Sequence, residues 1–119
     1  MAGIPFSIVH ERSGDVAVLR VSGAVDHVQY HALEEAIQTE LDRRRLRLVV
    51  DLSELTYISS AGINVLGHAA SQYEKVGGKL RLVRPVKEAQ WRFFTTLGVH
   101  TIFPWSASLA EAVAAVSTP

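Results

Sequence analysis

The sequence predicts an α/β fold built on a mostly parallel central sheet. Short runs rich in Val, Ile and Leu alternate with segments whose apolar residues recur at helical spacing. After an opening hairpin each strand is followed by a helix, and this order calls for right-handed crossovers between parallel strands. We therefore expect a single domain over residues 1–119 in the order β-β-α-β-α-β-α-β-α. Its ordered core should run from about residue 5 to about residue 116.

The first third of the chain predicts a hairpin followed by a helix. Residues 6–11 and 16–22 are apolar runs joined by an Arg-Ser-Gly-Asp turn, as in an antiparallel hairpin. Asp26 is a preferred helix N-cap residue, and Gln29, three positions later, completes a capping box. Apolar residues at helical spacing follow, so we expect an amphipathic helix over residues 27–44.

The rest of the chain predicts three strand–helix units. A nearly continuous apolar run is typical of a strand covered on both faces, glycine commonly ends a helix, and serine commonly begins one. On these signals the strands are residues 46–52, 80–83 and 101–103, and the helices run from Ser60 to Gly77-Gly78, over residues 87–97, and from Ser106 or Ser108 through Ala115.

Aromatic residues are concentrated in the last third of the chain. Trp91 and Phe94 are three apart and should share the core face of the third predicted helix, so Phe93 would point elsewhere. Trp105 follows Pro104 and is the aromatic residue most expected to be exposed. For each of these residues we favour a packing role over a binding role.

Charge and composition argue against several classes of partner. Twelve Lys and Arg balance twelve Asp and Glu, whereas nucleic-acid binding proteins usually carry a basic excess. The run Arg43-Arg44-Arg45, with Arg47, lies at the predicted end of the first helix. The helix dipole favours cations there, and we prefer this interpretation to a polyanion site. The balance of charge therefore predicts no nucleic-acid partner.

The same composition bears on the cellular compartment. The chain has no cysteine, which excludes disulfides, thiolate zinc sites and a Cys nucleophile. Residues 1–5 lack the features of a signal peptide, and no apolar stretch approaches the ~20 residues that cross a bilayer. We expect a cytoplasmic protein that does not insert into a membrane.

One segment, residues 51–66, carries most of the functional information. A predicted buried strand ends, a short loop follows, and Ser59 and Ser60 stand at the start of a helix. A helix N-terminus has unpaired N–H groups and a partial positive charge, so it tolerates an anion. A phosphoryl group on such a serine would leave the fold intact and would change the surface charge by about two negative units. The segment has the physical outline of a switch.

The motif Asp51-Leu-Ser-Glu-Leu-Thr-Tyr-Ile-Ser-Ser-Ala-Gly-Ile-Asn-Val-Leu66 resembles the signature of the STAS family, which includes bacterial anti-sigma factor antagonists. The resemblance extends to Gly23-Ala-Val-Asp26, to Leu97-Gly98-Val99 and to the serine-capped last helix. It implies a STAS-type fold with the helices packed mainly on one face of the sheet.

The resemblance implies a partner switch without catalysis or cofactors. An unphosphorylated antagonist of this family binds an anti-sigma factor that is also a serine kinase with a histidine-kinase-like ATPase fold. Phosphorylation of a serine at the start of the second helix dissolves that complex, and a metal-dependent PP2C-type phosphatase restores it. The partner-facing residues implied here are Asp26, Ser59, Ser60, Ala61, Gly62 and Asn64.

The chain departs from the family at the modified position. Members with the best-known switch carry Asp-Ser-Ser-Gly, and the serine directly before the glycine is modified. Aligned on Gly62, that position is Ala61, and the family's Asp falls on Ser59. Ser60 is therefore the first phosphorylation candidate and Ser59 the second, unless the protein binds its partner without being phosphorylated.

Structural roles compete with these assignments. Each serine, like Asp26, can serve simply as a helix cap worth ~1 kcal/mol, and Gly62 can serve close packing. A hydrolase nucleophile elbow is rejected because Ile58 replaces its first glycine. His27 and His31 have a spacing that could hold a metal, but no His-Glu-x-x-His motif is present, and we expect no metal site.

Two binding functions remain. The first is an anti-sigma factor antagonist with the phospho-switch described above. The alternative is a STAS scaffold or regulatory subunit, in a stressosome-like complex or on a transporter ATPase, that works without phosphorylation. The oligomeric state, monomer or weak dimer, stays open.

Overall fold

In the part of the chain that the structure describes, five strands form one mixed sheet whose spatial order follows the chain. The computed structural model describes residues 3–117, so both ends of the predicted domain, including part of the segment examined for a signal peptide, lie outside the described residues. The first two strands pair antiparallel and the remaining neighbours pair in parallel, which confirms the predicted class and element order. The strands are β1 Ser7–Ser13, β2 Val16–Val25, β3 Arg47–Ile58, β4 Lys79–Val83 and β5 Trp105–Ser106, and the helices are α1 Tyr30–Asp42, α2 Ser60–Lys75, α3 Glu88–Thr96 and α4 Leu109–Ser117.

Strands β2 and β3 are both longer than predicted. The apolar run of β3 ends at Leu52, but the strand continues to Ile58, where a loop was expected. Strand β3 continues because β2 also extends, to Val25, and the two strands stay paired. Their pairing contains two register shifts, one between Arg20 and Ser22 and one between Gly23 and Ala24. Such irregularities break the two-residue alternation that identifies a strand in sequence. The extension places the start of α2 directly at the end of the sheet.

The sheet is covered on both faces, mainly by helices on one side. Helices α1 and α2 and the Phe94 ring of α3 pack with inward side chains such as Leu19 and Val50 in the main core. Among residues 3–117, helix α4 alone covers the opposite face, where Ala112 and Val116 pack against alternate residues of β2, β3 and β4. The expected concentration of helices on one face is confirmed.

The last predicted strand is wrong in position. Residues 101–103 were expected to be extended, but Val99–Thr101 form a 3₁₀ turn and Ile102 is exposed. The strand β5 is Trp105–Ser106, paired with only two residues of β4. A two-residue strand has no periodicity of its own, so its place is decided by the edge of β4. Of the two caps proposed for the final helix, Ser108 is the one used, since its Oγ accepts from the Glu111 N–H at 3.1 Å.

In the aromatic cluster, Phe93 and Phe94 take the predicted orientations, whereas the prediction that Trp105 is exposed is wrong. Phe94 is fully buried and Trp91 half-buried, while Phe93 points outward, as the helical spacing predicts. Trp105 is packed, not exposed: its ring lies edge-on to Trp91 and Phe94, with centroids 5.0 and 4.9 Å away. Its indole N–H donates to the Val99 carbonyl at 3.2 Å. This contact with the 3₁₀ turn draws the ring inward.

A buried carboxylate links the hairpin to α1 and α2. Glu40 is 1% exposed, and its two oxygens lie 2.5 Å from His10 Nδ1 and 3.3 Å from Arg45 Nη1. The Tyr73 hydroxyl donates to the Arg45 carbonyl at 2.9 Å. Burial, and then the negative charge of Glu40, raises the pKa of the Tyr73 hydroxyl above its ordinary value. Every member of this group has a partner, as a buried charge requires.

Helix α1 ends in a Schellman motif that has arginine where glycine is usual. The Arg45 N–H donates to the Glu40 carbonyl and the Arg44 N–H to the Leu41 carbonyl, each at 3.0 Å. Arg44 takes the left-handed conformation with φ of 59°. This conformation costs a residue with a Cβ roughly 1–2 kcal/mol. The helix predicted to reach residue 44 therefore stops at Asp42, its hydrogen bonding completed by this turn.

We expect Phe94→Ala to destabilise the fold by about 3–5 kcal/mol, because a fully buried ring leaves a cavity in the main core. Phe93→Ala is the matched control, one position along the same helix, and should cost less than about 1.5 kcal/mol since that ring is partly solvated. Urea unfolding of the two variants and the wild type measures both. If Phe94→Ala cost no more stability than Phe93→Ala, the assignment of Phe94 to the core would be contradicted.

Candidate functional site

The predicted site lies where the carboxyl ends of β2 and β3 meet the amino end of α2. Val25 and Ile58 are the last paired residues of the two strands. The Ser59 N–H then donates to the Val25 carbonyl at 2.8 Å, which continues the ladder by one bond. Helix α2 begins at the next residue, Ser60, so no flexible loop separates sheet and helix. The amino end of α2, which we call the helix mouth, is thus held rigidly against the edge of the sheet.

The two candidate serines occupy different positions in this mouth. Ser59 is the N-cap, half-buried, and its Oγ accepts a hydrogen bond from the Gly62 N–H at 3.3 Å. Ser60 is the first helical residue and is exposed, and its hydroxyl makes no hydrogen bond with any residue in the range 3–117. The capping role therefore falls to Ser59, and the hydroxyl of Ser60 is available for chemistry.

Gly62 is required by close packing. It is buried, and a Cβ at this position would lie 2.7 Å from Ile58 Cγ1 and 3.0 Å from Val25 Cγ1. Real Cβ atoms essentially never come as close as 2.7 Å to another atom, so any side chain here would push α2 away from the strand ends. The glycine serves the position of the helix, and Ala61 beside it is half-buried.

Asp26 caps a turn that precedes α1. Its Oδ1 accepts from the N–H groups of Val28 and Gln29 at 2.9 and 2.8 Å. Residues 27–29 form this turn, and the helix proper begins at Tyr30, three residues later than predicted, because the chain first bends over the carboxylate. The hydrogen bonds from Gln29 and then Val28 lower the pKa of the Asp26 carboxyl below its ordinary value. Asp26 is thus a fixed negative charge directly after Val25, the residue that holds the helix mouth.

The amino end of α2 and its surroundings present the Ser60 hydroxyl, the Asn64 amide and the Asp26 carboxylate. Asn64 is exposed and lies four residues after Ser60, so the two share one face of α2. The amino end of α2 has no acidic residue in its first turn. A phosphoryl group on Ser60 would therefore lie in the favourable field of the helix dipole and within the same surface as Asn64.

Sequence reasoning missed the apolar part of this surface. Tyr57, two residues before Ser59, is 49% exposed, and Val28, two residues after Asp26, is 62% exposed. Val86 is also exposed, and its N–H donates to the Ser53 carbonyl near the end of β3. Exposed apolar side chains are common in binding surfaces. The sequence offered a signal for two of them, since Tyr57 lies within the motif and Val28 close to Asp26, but exposure itself depends on the fold.

Two other features bear on the kinds of ligand considered. Among residues 3–117, no group of three His, Asp or Glu side chains is arranged to hold a metal ion, and His31 stacks on Tyr30 with ring centroids 3.9 Å apart. Over the same residues no helix has both the length and the apolar character needed to cross a bilayer.

Comparison with known proteins gives a consistent result. The pattern of the STAS domain matches residues 7–112. BtrV of Bordetella bronchiseptica, named as a candidate anti-sigma factor antagonist, is 35% identical over 98 residues, which are 82% of this chain and 84% of BtrV.

Solved structures share the whole architecture. An anti-sigma factor antagonist from Mycobacterium paratuberculosis is 30% identical and superposes with a TM-score of 0.83, over 96% of each chain. The antagonist SpoIIAA of Bacillus has this fold in its unphosphorylated form, with a TM-score of 0.71, 20% identity and coverage of 97% of this chain and 100% of SpoIIAA. Its phosphorylated form has a TM-score of 0.70, with 19% identity and coverage of 92% and 99%. At these identities the SpoIIAA comparison concerns the fold alone.

We expect Gly62→Ala to cost about 1–3 kcal/mol of folding free energy, because the added methyl meets Ile58 and Val25 inside contact distance. Gly67→Ala in the same helix is the control: its nearest side-chain atom is 3.6 Å away, so it should be neutral or stabilise by up to about 1 kcal/mol. Thermal unfolding followed by circular dichroism distinguishes the two. A neutral Gly62→Ala would mean that the strand ends yield to the helix.

We expect Asp26→Asn to lower the melting temperature at neutral pH by an amount that disappears in acid. The folded-state pKa of Asp26 is lowered by its two backbone donors, so its stabilising effect is present above the unfolded-state pKa of about 3.9. That effect is lost as the pH falls through the folded-state pKa. Melting of wild type and variant from about pH 7 to about pH 2 measures it. A difference that does not vary with pH would contradict the assignment.

Proposed function

Because this chain belongs to the STAS domain family, we propose that it is an anti-sigma factor antagonist, a regulator that binds a partner and catalyses no reaction. The similarity to BtrV spans most of both chains, and the mycobacterial antagonist superposes over nearly the whole of both. Both relatives are named for this role. An anti-sigma factor acts on a subunit of the transcription machinery, so the proposal places the protein in the cytoplasm.

The partner in this proposal is an anti-sigma factor that is also a serine kinase with a histidine-kinase-like ATPase fold. In its unphosphorylated form the antagonist binds this partner and frees the sigma factor. Phosphorylation at the start of α2 ends the complex, and a PP2C-type phosphatase reverses it. Partner binding involves Asp26, Ser59, Ser60, Ala61, Gly62 and Asn64, with Val28 and Tyr57 as added apolar contacts.

The observation that carries the switch is the state of Ser60. Its hydroxyl is exposed and unbonded within residues 3–117, at the first position of α2, while the neighbouring Ser59 supplies the cap. Phosphorylation at Ser60 therefore breaks no hydrogen bond of the fold. It adds a charge of about −1.5 to −2 to a surface on which Asp26 is already an anion. A partner fitted to the unmodified surface loses complementarity, and the fold persists.

Ala61 favours a second function. It stands where the family's best-known switch has its modified serine, and it has no hydroxyl. A STAS scaffold or regulatory subunit of a stressosome-like or transporter-ATPase complex would use the same surface without phosphorylation. The two functions differ in whether a kinase modifies the helix mouth.

The deciding experiment incubates the protein with ATP and a histidine-kinase-like ATPase of the kind proposed as its partner. We expect one phosphate, on Ser60, measured by intact mass and peptide sequencing. Ser60→Ala should abolish incorporation, whereas Ser59→Ala should retain it and lose about 1 kcal/mol of stability with the cap. Phosphate on Ser59 alone would transfer the acceptor role to the capping residue.

Binding is measured on the same variants. Ser60→Asp should weaken the complex with the ATPase at least about tenfold while its melting temperature stays close to that of the wild type, because an acidic residue is favourable in the first turn of a helix. Ser71→Asp is the matched control for charge: it is exposed on α2, about three turns from Ser60, and should bind like the wild type. A stable complex with no phosphate on any serine would reject the switch in favour of the scaffold or subunit function.

A further inference from the structure

A second charged surface lies at the opposite end of the sheet from the mouth of α2. We call it the arginine pole, and it consists of Arg12, Arg43, Arg44 and Arg47 around an open concavity of about 510 Å³. Arg12 lies next to the hairpin turn and Arg47 begins β3, so the pole is at the amino edge of the parallel strands. Helix α2 starts at the carboxyl edge, twelve residues of β3 away. A strand of that length separates the two surfaces by roughly 35–40 Å.

Two of these arginines have no structural task. Arg47 donates to the Ser117 carbonyl at the end of α4, and Arg12 donates to the Gly14 carbonyl, each at 3.4 Å. The side chains of Arg43 and Arg44 are exposed and form no hydrogen bond or ion pair with residues 3–117. Their guanidinium groups extend into solvent, with five donors each available.

Arg44 also holds a position that disfavours its side chain. It is the residue that completes the Schellman motif, with φ of 59°, and glycine or asparagine would adopt this conformation more readily. When a residue type is unfavourable for its backbone conformation and its side chain makes no stabilising contact, a function for that side chain is indicated. The helix dipole explains cations near this helix end in general, but it does not require one in the left-handed position itself.

We propose that the arginine pole binds a carboxylate-rich segment of a partner protein. Guanidinium groups pair with carboxylates through two parallel hydrogen bonds, and several on one rigid edge select closely spaced Asp and Glu residues. Asp15 lines the same concavity and Asp42 precedes Arg43, so acidic side chains interrupt the basic surface. Nucleic-acid binding depends on neutralising many phosphates with a basic excess, whereas this chain has a formal net charge of zero. The charge pattern therefore favours an acidic protein segment over nucleic acid.

This interaction is independent of the proposed switch. The pole and Ser60 lie at opposite edges of the sheet, so the acidic segment and the kinase can bind together. Arg44→Gly should accordingly leave phosphorylation at α2 unchanged, and failure of either proposal is seen separately from the other.

The test measures binding of a fluorescein-labelled oligoglutamate peptide to the protein, followed by fluorescence anisotropy at about 0.15 M salt. We expect saturable binding that Arg44→Gly weakens about fivefold or more, while the melting temperature of this variant rises by a few °C as the left-handed position is relieved. Arg44→Lys keeps the charge and loses the two-pronged hydrogen bonding, so its affinity should lie between those of the wild type and Arg44→Gly, without the gain in melting temperature. Arg92→Ala removes an exposed arginine of α3, away from the pole, and should leave binding unchanged.

Four results would overturn the proposal. The first is no saturable binding of the peptide. The second is an Arg44→Gly variant that gains stability and binds like the wild type. The third is an equal loss of affinity in Arg92→Ala, which would mean that the peptide responds only to the overall charge of the protein. The fourth is tighter, Arg44-dependent binding of a duplex oligonucleotide, which would assign the pole to nucleic acid.

Discussion

The structure depends on the contact of Gly62 with Val25 and Ile58, where α2 approaches the ends of two parallel strands without an intervening side chain. This contact, with the bond from the Ser59 N–H to the Val25 carbonyl, determines where the helix mouth lies. Everything assigned to the site follows from it: Ser59 is held as the cap, and Ser60 is left on the outside of the first turn. A mobile loop in this place would lose the fixed relation between the serine and the neighbouring Asp26, and with it the surface that a partner can recognise.

The long pairing of β2 with β3 sets two surfaces at opposite edges of one rigid sheet. One edge presents a hydroxyl and an anion beside exposed apolar side chains, and the other presents unpaired guanidinium groups. The net charge of zero does not reveal this separation, because the cations and anions are equal in number but lie at different places on the surface. Such a domain can be modified at one edge while an interaction at the other continues. The buried Glu40, with His10 and Arg45, keeps the hairpin and the helices α1 and α2 in register between the two edges.

The elements that sequence reasoning located well are those with strong local signals. Helix α2 was predicted between its serine cap and its glycine stop, and it runs over Ser60–Lys75. The extension of β3 was missed because two register shifts break its alternation, and only pairing with β2 makes residues 53–58 extended. Strand β5 and the burial of Trp105 were missed for a similar reason: a two-residue strand and a ring packed on α3 depend on neighbours distant in the chain.

By itself, then, the sequence determined the α/β class, the order of the elements, the family resemblance and the two candidate serines, since each rests on local spacing or on a contiguous motif. Only the tertiary structure showed that Ser59 is the cap and that the Ser60 hydroxyl is exposed, because exposure and hydrogen bonding of a hydroxyl depend on which atoms surround it. It alone showed why residue 62 is glycine, since the atoms that exclude a Cβ come from two strands far apart in the chain. It also altered the interpretation of the arginine run, because the left-handed backbone of Arg44 arises from how α1 turns into β3, a geometry that residue identities do not encode locally.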